Sequence, residues 1–292
     1  MSFFRSKLRP GHPVVSPPQW APAPEQPHEF GKWNDAPGHE YDTAEDFCNR
    51  YPLDPPKLLS SHIIDRIDQV GCRAWGIEVP DTPRFVGGLP GVINVQTQSG
   101  CKDVCLLSDL PIMAGLYDIQ GKSGVYYEVH IEMMDGIIAI GTACRPYPVW
   151  RLPGWNRMSA GFHLDDFRKF FEDPDGGRDY TSSSVISRIN SGDTIGCGYA
   201  FHTGTLFYTY NGQRLPPAFT GIYLPRHARD VFAAIGVEGI CRFQVNFGGD
   251  TFRWLEGNEW GWRVEGHVGR LLGGGSYRGD DEEMLPAYQP QV

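Results

Sequence analysis

Apolar and polar side chains alternate along Val125-Tyr126-Tyr127-Glu128-Val129-His130-Ile131, the pattern of a strand with one buried face. Gly136 to Gly141 is apolar throughout, which predicts a strand covered on both sides or a sheet centre. Further strand-like runs follow at Asp193 to Tyr199, Gly204 to Tyr210, Val231 to Gly236 and Cys241 to Gly248. Asn211-Gly212 stands behind the Gly204 run and predicts a tight hairpin, because both central residues of a type I′ turn need positive φ. Strand alternation assigns Tyr127, Val129, Ile138, Ile140, Ile195, Phe207 and Val245 to the core.

Before this series, Arg84 to Val86, Val92 to Val95 and Val104 to Leu107 read as the first strands of the same β domain. Two short helices are expected upstream. One starts at Asp42-Thr43-Ala44-Glu45, sets Phe47 and Tyr51 on one face and stops at Pro52. The other is capped by Ser60 or Ser61, carries Ile63, Ile64, Ile67 and Val70 at helical spacing, and ends at Gly71. Stripes this short are not stable alone, so the pair should brace the β domain. After Phe247, the aromatics Phe252, Trp254, Trp260 and Trp262 are expected to fold back over it.

The ends change character. Residues 1–40 hold prolines among polar residues, too little apolar surface to offset ordering, and read as a disordered arm. Its tip joins Phe3 and Phe4 to Arg5, Lys7 and Arg9, more often a solvated tail than a membrane contact. Residues 41–83 form the helical extension, 84–268 the β domain with its covering segment, and 269–292 a flexible tail with the acidic run Asp280-Asp281-Glu282-Glu283.

Composition narrows the function. The 292 residues include 36 Gly and 24 Pro, which suits a turn-rich β protein better than a helical bundle. A net charge of −9 offers no overall basic field, and nucleic-acid binding is disfavoured. Seven cysteines without framework spacing point to reduced thiols in a cytosolic compartment. No run approaches the roughly 20 apolar residues of a membrane span. Cys101 and Cys105 lack a second metal-ligand pair and read as buried thiols, and no catalytic or nucleotide fingerprint occurs, so neither enzyme activity nor a cofactor is expected. His163 beside Asp165 and Asp166 can be drawn as an acid-base cluster, but such neighbours are common on surfaces.

Several of these runs occur together in a known order: Tyr126-Tyr127-Glu128-Val129, Ile140-Gly141-Thr142-Ala143, Pro153-Gly154-Trp155, Gly192 to Tyr199, Phe207 to Gly212 and Val245-Asn246-Phe247-Gly248. The chain here resembles a SPRY domain over roughly residues 84–255. The resemblance implies an all-β fold, a bent antiparallel β-sandwich used for protein recognition. The insert from Arg145 to Trp155 is similar to that of fungal SPRY adaptors, which bring membrane proteins to a HECT-type ubiquitin ligase. Many of those adaptors carry an N-terminal membrane anchor that this sequence does not match. The resemblance implies a cytoplasmic chain, peripheral at endosome or vacuole membranes, with a cargo protein as partner.

Two candidate sites follow. Cys144 to Tyr180 is the longest interruption between strands, and Tyr147, Trp150 and Arg151 are of the types that dominate binding energy. Asp165, Asp166 and Arg168 form a charge patch in the same segment, while Trp155 is expected to pin the loop. The tail supplies the second: Leu285-Pro286-Ala287-Tyr288 resembles the Leu-Pro-x-Tyr form of the motif read by WW domains, in which Pro pre-sets an extended conformation and Tyr fills a pocket. The expected function is a non-catalytic adaptor joining cargo to a WW-domain ubiquitin ligase. A SPRY scaffold subunit and a carbohydrate-binding sandwich are the alternatives.

Overall fold

The computed structural model describes residues 38–79, 85–86, 92–174, 176–181 and 185–272. Most of the Pro-rich arm and the tail with Leu285, Pro286 and Tyr288 lie outside the described residues. The strands, in chain order, are β1 (Phe85–Val86), β2 (Val92–Thr97), β3 (Val104–Leu107), β4 (Gly124–Ala143), β5 (Ser159–His163), β6 (Arg168–Phe171), β7 (Arg178–Asp179), β8 (Thr194–Ala200), β9 (Thr205–Tyr210), β10 (Gln213–Phe219) and β11 (Phe232–Asn246). All the pairings are antiparallel. The fold is the bent β-sandwich that the sequence resemblance implied.

The bend is made by two long strands that the hydropathy pattern divides. Runs at 125–131 and 136–141 are one strand, β4, and the runs at 231–236 and 241–248 belong to β11. β4 and β11 pair from Phe232↔Ala143 to Asn246↔Glu128. At mid-length Gly136 (φ 147) faces Gly239 (φ 74), and the register slips between Arg242 and Phe243. Residues with a Cβ rarely adopt those φ values, so paired glycines let both strands turn without breaking their ladder. Hydrophobic continuity fails there even though hydrogen bonding does not.

On one side of the bend β3, β11, β4, β5, β6 and β7 form one half. On the other, β1, β2, β11, β4, β8, β9 and β10 form the second. The inner faces enclose the main core, which includes Tyr127, Val129, Ile138, Ile140, Ile195, Phe243 and Val245, each fully buried. The β9–β10 hairpin turns on Asn211 (φ 50) and Gly212 (φ 82), as Asn-Gly predicts.

Each half also has a covered outer face, and this departs from simple alternation. Tyr126 and Phe207 point away from the main core yet are fully buried, because Phe252, Trp254 and Trp262 lie over them. Phe207 therefore belongs to this second layer and not to the main core. Glu128 anchors the cover: its carboxylate accepts hydrogen bonds from the Arg253 and Trp254 amides at 3.0 Å and from Tyr126 Oη at 2.8 Å. Trp260 is the exception among the expected covering aromatics. It is 61% exposed, with Lys122 Nζ 3.5 Å from its ring centroid.

The helices α1 (Gly38–Arg50) and α2 (Ser61–Val70) precede the sandwich. α1 begins four residues before the expected Asp42 start, whereas α2 runs from its Ser60 cap to Gly71 (φ 59). α1 buries Ala44 and Cys48, and α2 buries Ile67 against the main core. Among the described residues no helix is long and apolar enough to cross a membrane.

Candidate interaction surface

The segment between β4 and β5 lies flat on the outer face of the first half because that face is built from small residues. Ala139, Ala143, Ala234 and Gly236 leave room for main chain, and a Cβ on Gly236 would stand 2.6 Å from Pro153 Cδ. Leu152 and Trp155 pack there on Ile137, Ala139 and Phe170, while Tyr147 packs on Cys105, Leu107, Ala143 and Ala234. The Cys105 amide donates to Val149 O at 2.8 Å, closing the free edge of β3. Cys101 and Cys105 are both buried, and burial pushes the Cys105 pKa up.

Polar groups of the segment bond to one another and to α1 and the residues just after it. Tyr147 Oη donates to Leu152 O at 2.6 Å and accepts from the Asn156 amide at 3.3 Å. Arg151 Nε donates to Asn156 Oδ1 at 2.9 Å, and its guanidinium carbon lies 4.5 Å from the Trp155 ring centroid. Asn156 Nδ2 donates in turn to Glu45 Oε1 of α1 at 2.9 Å. Arg157 reaches the carbonyls of Cys48 and Tyr51, so the helix end and the loop are tied together.

This geometry corrects the expected anchors. Tyr147 and Arg151 are 4% and 2% exposed, so neither offers a surface to a partner. The reason is tertiary: a face of Ala and Gly accepts the loop closely, and side chains that project from the loop are driven into the sheet. Trp155 pins the loop as expected. Trp150 alone of the three anchors is half-exposed. Asp165 is exposed, while Asp166 and Arg168 are half-buried in a local turn. Asp166 Oδ1 accepts from the Arg168 amide at 3.0 Å, and Arg168 Nη2 donates to Gly177 O at 2.8 Å.

His163 is likewise not an accessible acid-base group. It is buried, its Nε2–H donates to Pro153 O at 3.0 Å, and its ring centroid stands 4.1 Å from that of Phe170. Burial lowers its pKa to about 4.

Two features emerge that residue types in the loop did not signal. Asp103, just ahead of β3, and Glu238 of β11 stand one step beyond the Val104↔Val237 pair. Burial, then the Glu238 and Glu40 carboxylates, raises the Asp103 pKa to about 7, against the opposing pull of Arg151. The other feature is aromatic. Phe47 on α1 lies 4.9 Å from Tyr51 and meets Trp150 edge-on at 5.6 Å. Tyr51 is 47% exposed and Val149, next to Trp150, 58%. The i, i+4 spacing of Phe47 and Tyr51 was visible in the sequence; their pairing with Trp150 needed the fold.

The family model for the SPRY domain matches residues 124–250, which run from the start of β4 past the end of β11. Protein ssh4 of Sclerotinia sclerotiorum is 28% identical over 279 residues, covering 94% of this chain and 50% of the relative. A SPRY domain-containing protein of Schizosaccharomyces pombe is 33% identical over 181 residues, covering 61% of this chain and 42% of the relative. The chain thus spans about half the length, or less, of these curated relatives. A crystal structure of a human SPRY domain aligns with a TM-score of 0.43 and 21% identity, over 60% of this chain and 99% of that one.

Proposed function

Residues 124–250 form a SPRY domain, and from that premise we propose that the chain is a non-catalytic adaptor, binding a cargo protein on its folded surface and a WW-domain ubiquitin ligase through its tail. The observation that carries the cargo half is the Phe47, Tyr51 and Trp150 cluster, aromatic surface where α1 and its end meet a loop whose Tyr147, Leu152 and Trp155 are locked onto the sheet. A surface held this way loses little freedom on binding, and aromatic anchors supply most of the energy of such contacts. Trp150 remains a candidate anchor, with Asp165 at the charged margin. Asp166 and Arg168 act through the shape of their turn.

The tail half rests on Leu285, Pro286 and Tyr288, following an acidic run and Gly273-Gly274-Gly275-Ser276. Two modest contacts on one chain raise each other's effective concentration, so neither has to be tight. The resemblance to fungal SPRY adaptors supports membrane proteins as cargo and a peripheral location at endosome or vacuole membranes.

Affinity capture with the full chain separates the two halves. The ligase is expected with wild type and Trp150→Ala but not Tyr288→Ala; cargo is expected with wild type and Tyr288→Ala but not Trp150→Ala. Equal recovery of both partners by all three chains would remove the reading.

A further inference from the structure

Residues 51–60 join α1 to α2 without helix or strand, and their burial repeats every third residue. Leu53, Pro56 and Leu59 are half-buried, while the two residues between each of them are exposed. A strand would repeat every second residue and an α-helix about every 3.6, whereas about three residues per turn is the repeat of the polyproline II helix. Ser60, at the end of the segment, has φ −63 and ψ 153, close to that conformation.

The segment is a strap fixed to the sandwich along one edge. Leu53 and Leu59 pack against the main core. The amides of Asp54, Lys57 and Leu59 donate to Arg145 O at 2.8 Å, Asp230 Oδ2 at 2.9 Å and Tyr117 Oη at 2.9 Å. Asp230 is held in turn by the Gly115 amide, which donates to its Oδ1 at 2.8 Å. A polyproline helix has no hydrogen bonds of its own, so these outside acceptors keep the strap extended.

The other two edges face water. One carries Pro52, Pro55 and Leu58, the last 60% exposed, and the other carries Asp54 and Lys57. In sequence, Pro52-Leu53-Asp54-Pro55-Pro56-Lys57 is a Pro-x-x-Pro run with a cation two residues beyond. The pattern is short; its presentation is what carries weight here, since the fold sets both spaced prolines on one exposed edge and turns a different edge inward. Lys57 Nζ lies 2.9 Å from Asp54 Oδ2, but both side chains are well exposed, so a partner's carboxylate can compete for the ammonium.

We propose that this strap is a docking ridge for an SH3-type domain, whose aromatic-lined groove takes the Pro52, Pro55 and Leu58 edge while a carboxylate at the groove's end pairs with Lys57. A WW-type groove would need a tyrosine where Leu58 follows Pro55-Pro56-Lys57. Because the fold already holds the strap extended, binding orders little more of the chain. The contact uses neither Trp150 nor the tail, so it stands or falls apart from the adaptor reading.

The full chain carrying Tyr288→Ala, which removes the tail motif, is titrated against arrays of purified SH3 domains and purified WW domains. SH3 domains are expected to bind it, and to bind at least about tenfold more weakly after Pro52→Ala with Pro55→Ala, or after Lys57→Glu. Those side chains are exposed, so the melting temperature should barely move. A free peptide of residues 51–60 should bind the same domains more weakly than the chain, because it has still to be ordered. Peptide binding as tight as the chain's, or tighter, would overturn the proposal, since the fold would then not be presenting the edge. SH3 binding that survives the substitutions would overturn it as well and would assign the contact to another proline run. An array on which only WW domains bind, or none of either kind, would do the same.

Discussion

Removing the Tyr147 ring should unfold the loop from the sheet, whereas removing the Trp150 ring should leave the fold intact. Tyr147 is 4% exposed and packs on Cys105, Leu107, Ala143 and Ala234. Truncation of a buried aromatic to Ala costs about 3 to 5 kcal/mol through lost burial and the cavity left behind. Its hydroxyl adds to that figure, because Tyr147→Ala leaves Leu152 O and the Asn156 amide without their partner. Buried groups stranded in this way cost about 1 to 3 kcal/mol each, less where water enters the cavity. A loss of about 5 kcal/mol corresponds to a fall of at least about 10 °C in a domain of this size. Trp150 makes an edge contact with Phe47 and is half-exposed, so Trp150→Ala should cost no more than about 1.5 kcal/mol. Tyr147→Phe keeps the ring and reports the hydroxyl alone. Thermal unfolding followed by near-UV circular dichroism measures all three. If Tyr147→Ala melts within 3 °C of wild type (about 1 kcal/mol), or Trp150→Ala melts as low as Tyr147→Ala, the assignment of one ring to the core and the other to the surface is wrong.

Two further outcomes follow from buried polar groups. Glu128→Ala should destabilise by about 3 kcal/mol in urea titration, since the Arg253 and Trp254 amides lose a buried carboxylate and the covering segment loses its anchor; Trp fluorescence should report that segment loosening, and an unchanged midpoint would contradict it. Burial holds the folded pKa of His163 at about 4 and of His267 at about 3, below the ordinary 6.5. The unfolded chain therefore takes up protons that the fold refuses, and stability falls as pH drops from 6.5 towards 4, by about 2 kcal/mol per histidine at pH 5. Asp103, held up at about 7, acts in the opposite sense, favouring the fold at low pH and losing that contribution as pH rises towards 7. His163→Gln, which keeps a donor for Pro153 O, should flatten the acid limb of a plot of melting temperature against pH; an unaltered slope would remove His163 from that account.

Much of the sandwich was legible because its determinants are local. Val125 to Ile131, Asp193 to Tyr199 and Gly204 to Tyr210 read as strands from residue type and spacing, and Asn211-Gly212 specified its own turn through positive φ at both positions. Ser60 and Gly71 bounded α2 in the same way. Continuity of β4 and β11 was not legible, since a Gly136 facing Gly239 looks like two turns until the strands are paired and the bend keeps their ladder.

Exposure was decided by tertiary structure. Alternation says that Tyr126 and Tyr127 point to opposite faces; it does not say that Phe252, Trp254 and Trp262 return to bury the outer one. Residue type marked Tyr147, Trp150 and Arg151 alike as anchors, yet Cys105 and Leu107 of β3 and Ala234 of β11, which help to bury Tyr147, lie far away in sequence. The chain by itself determined which segments become strands and turns, because backbone preference and side-chain period act between near neighbours. Which loop residues face water was settled only when the bend brought an Ala and Gly surface under the loop and α1 beside Trp150, since burial depends on what distant segments place against a side chain.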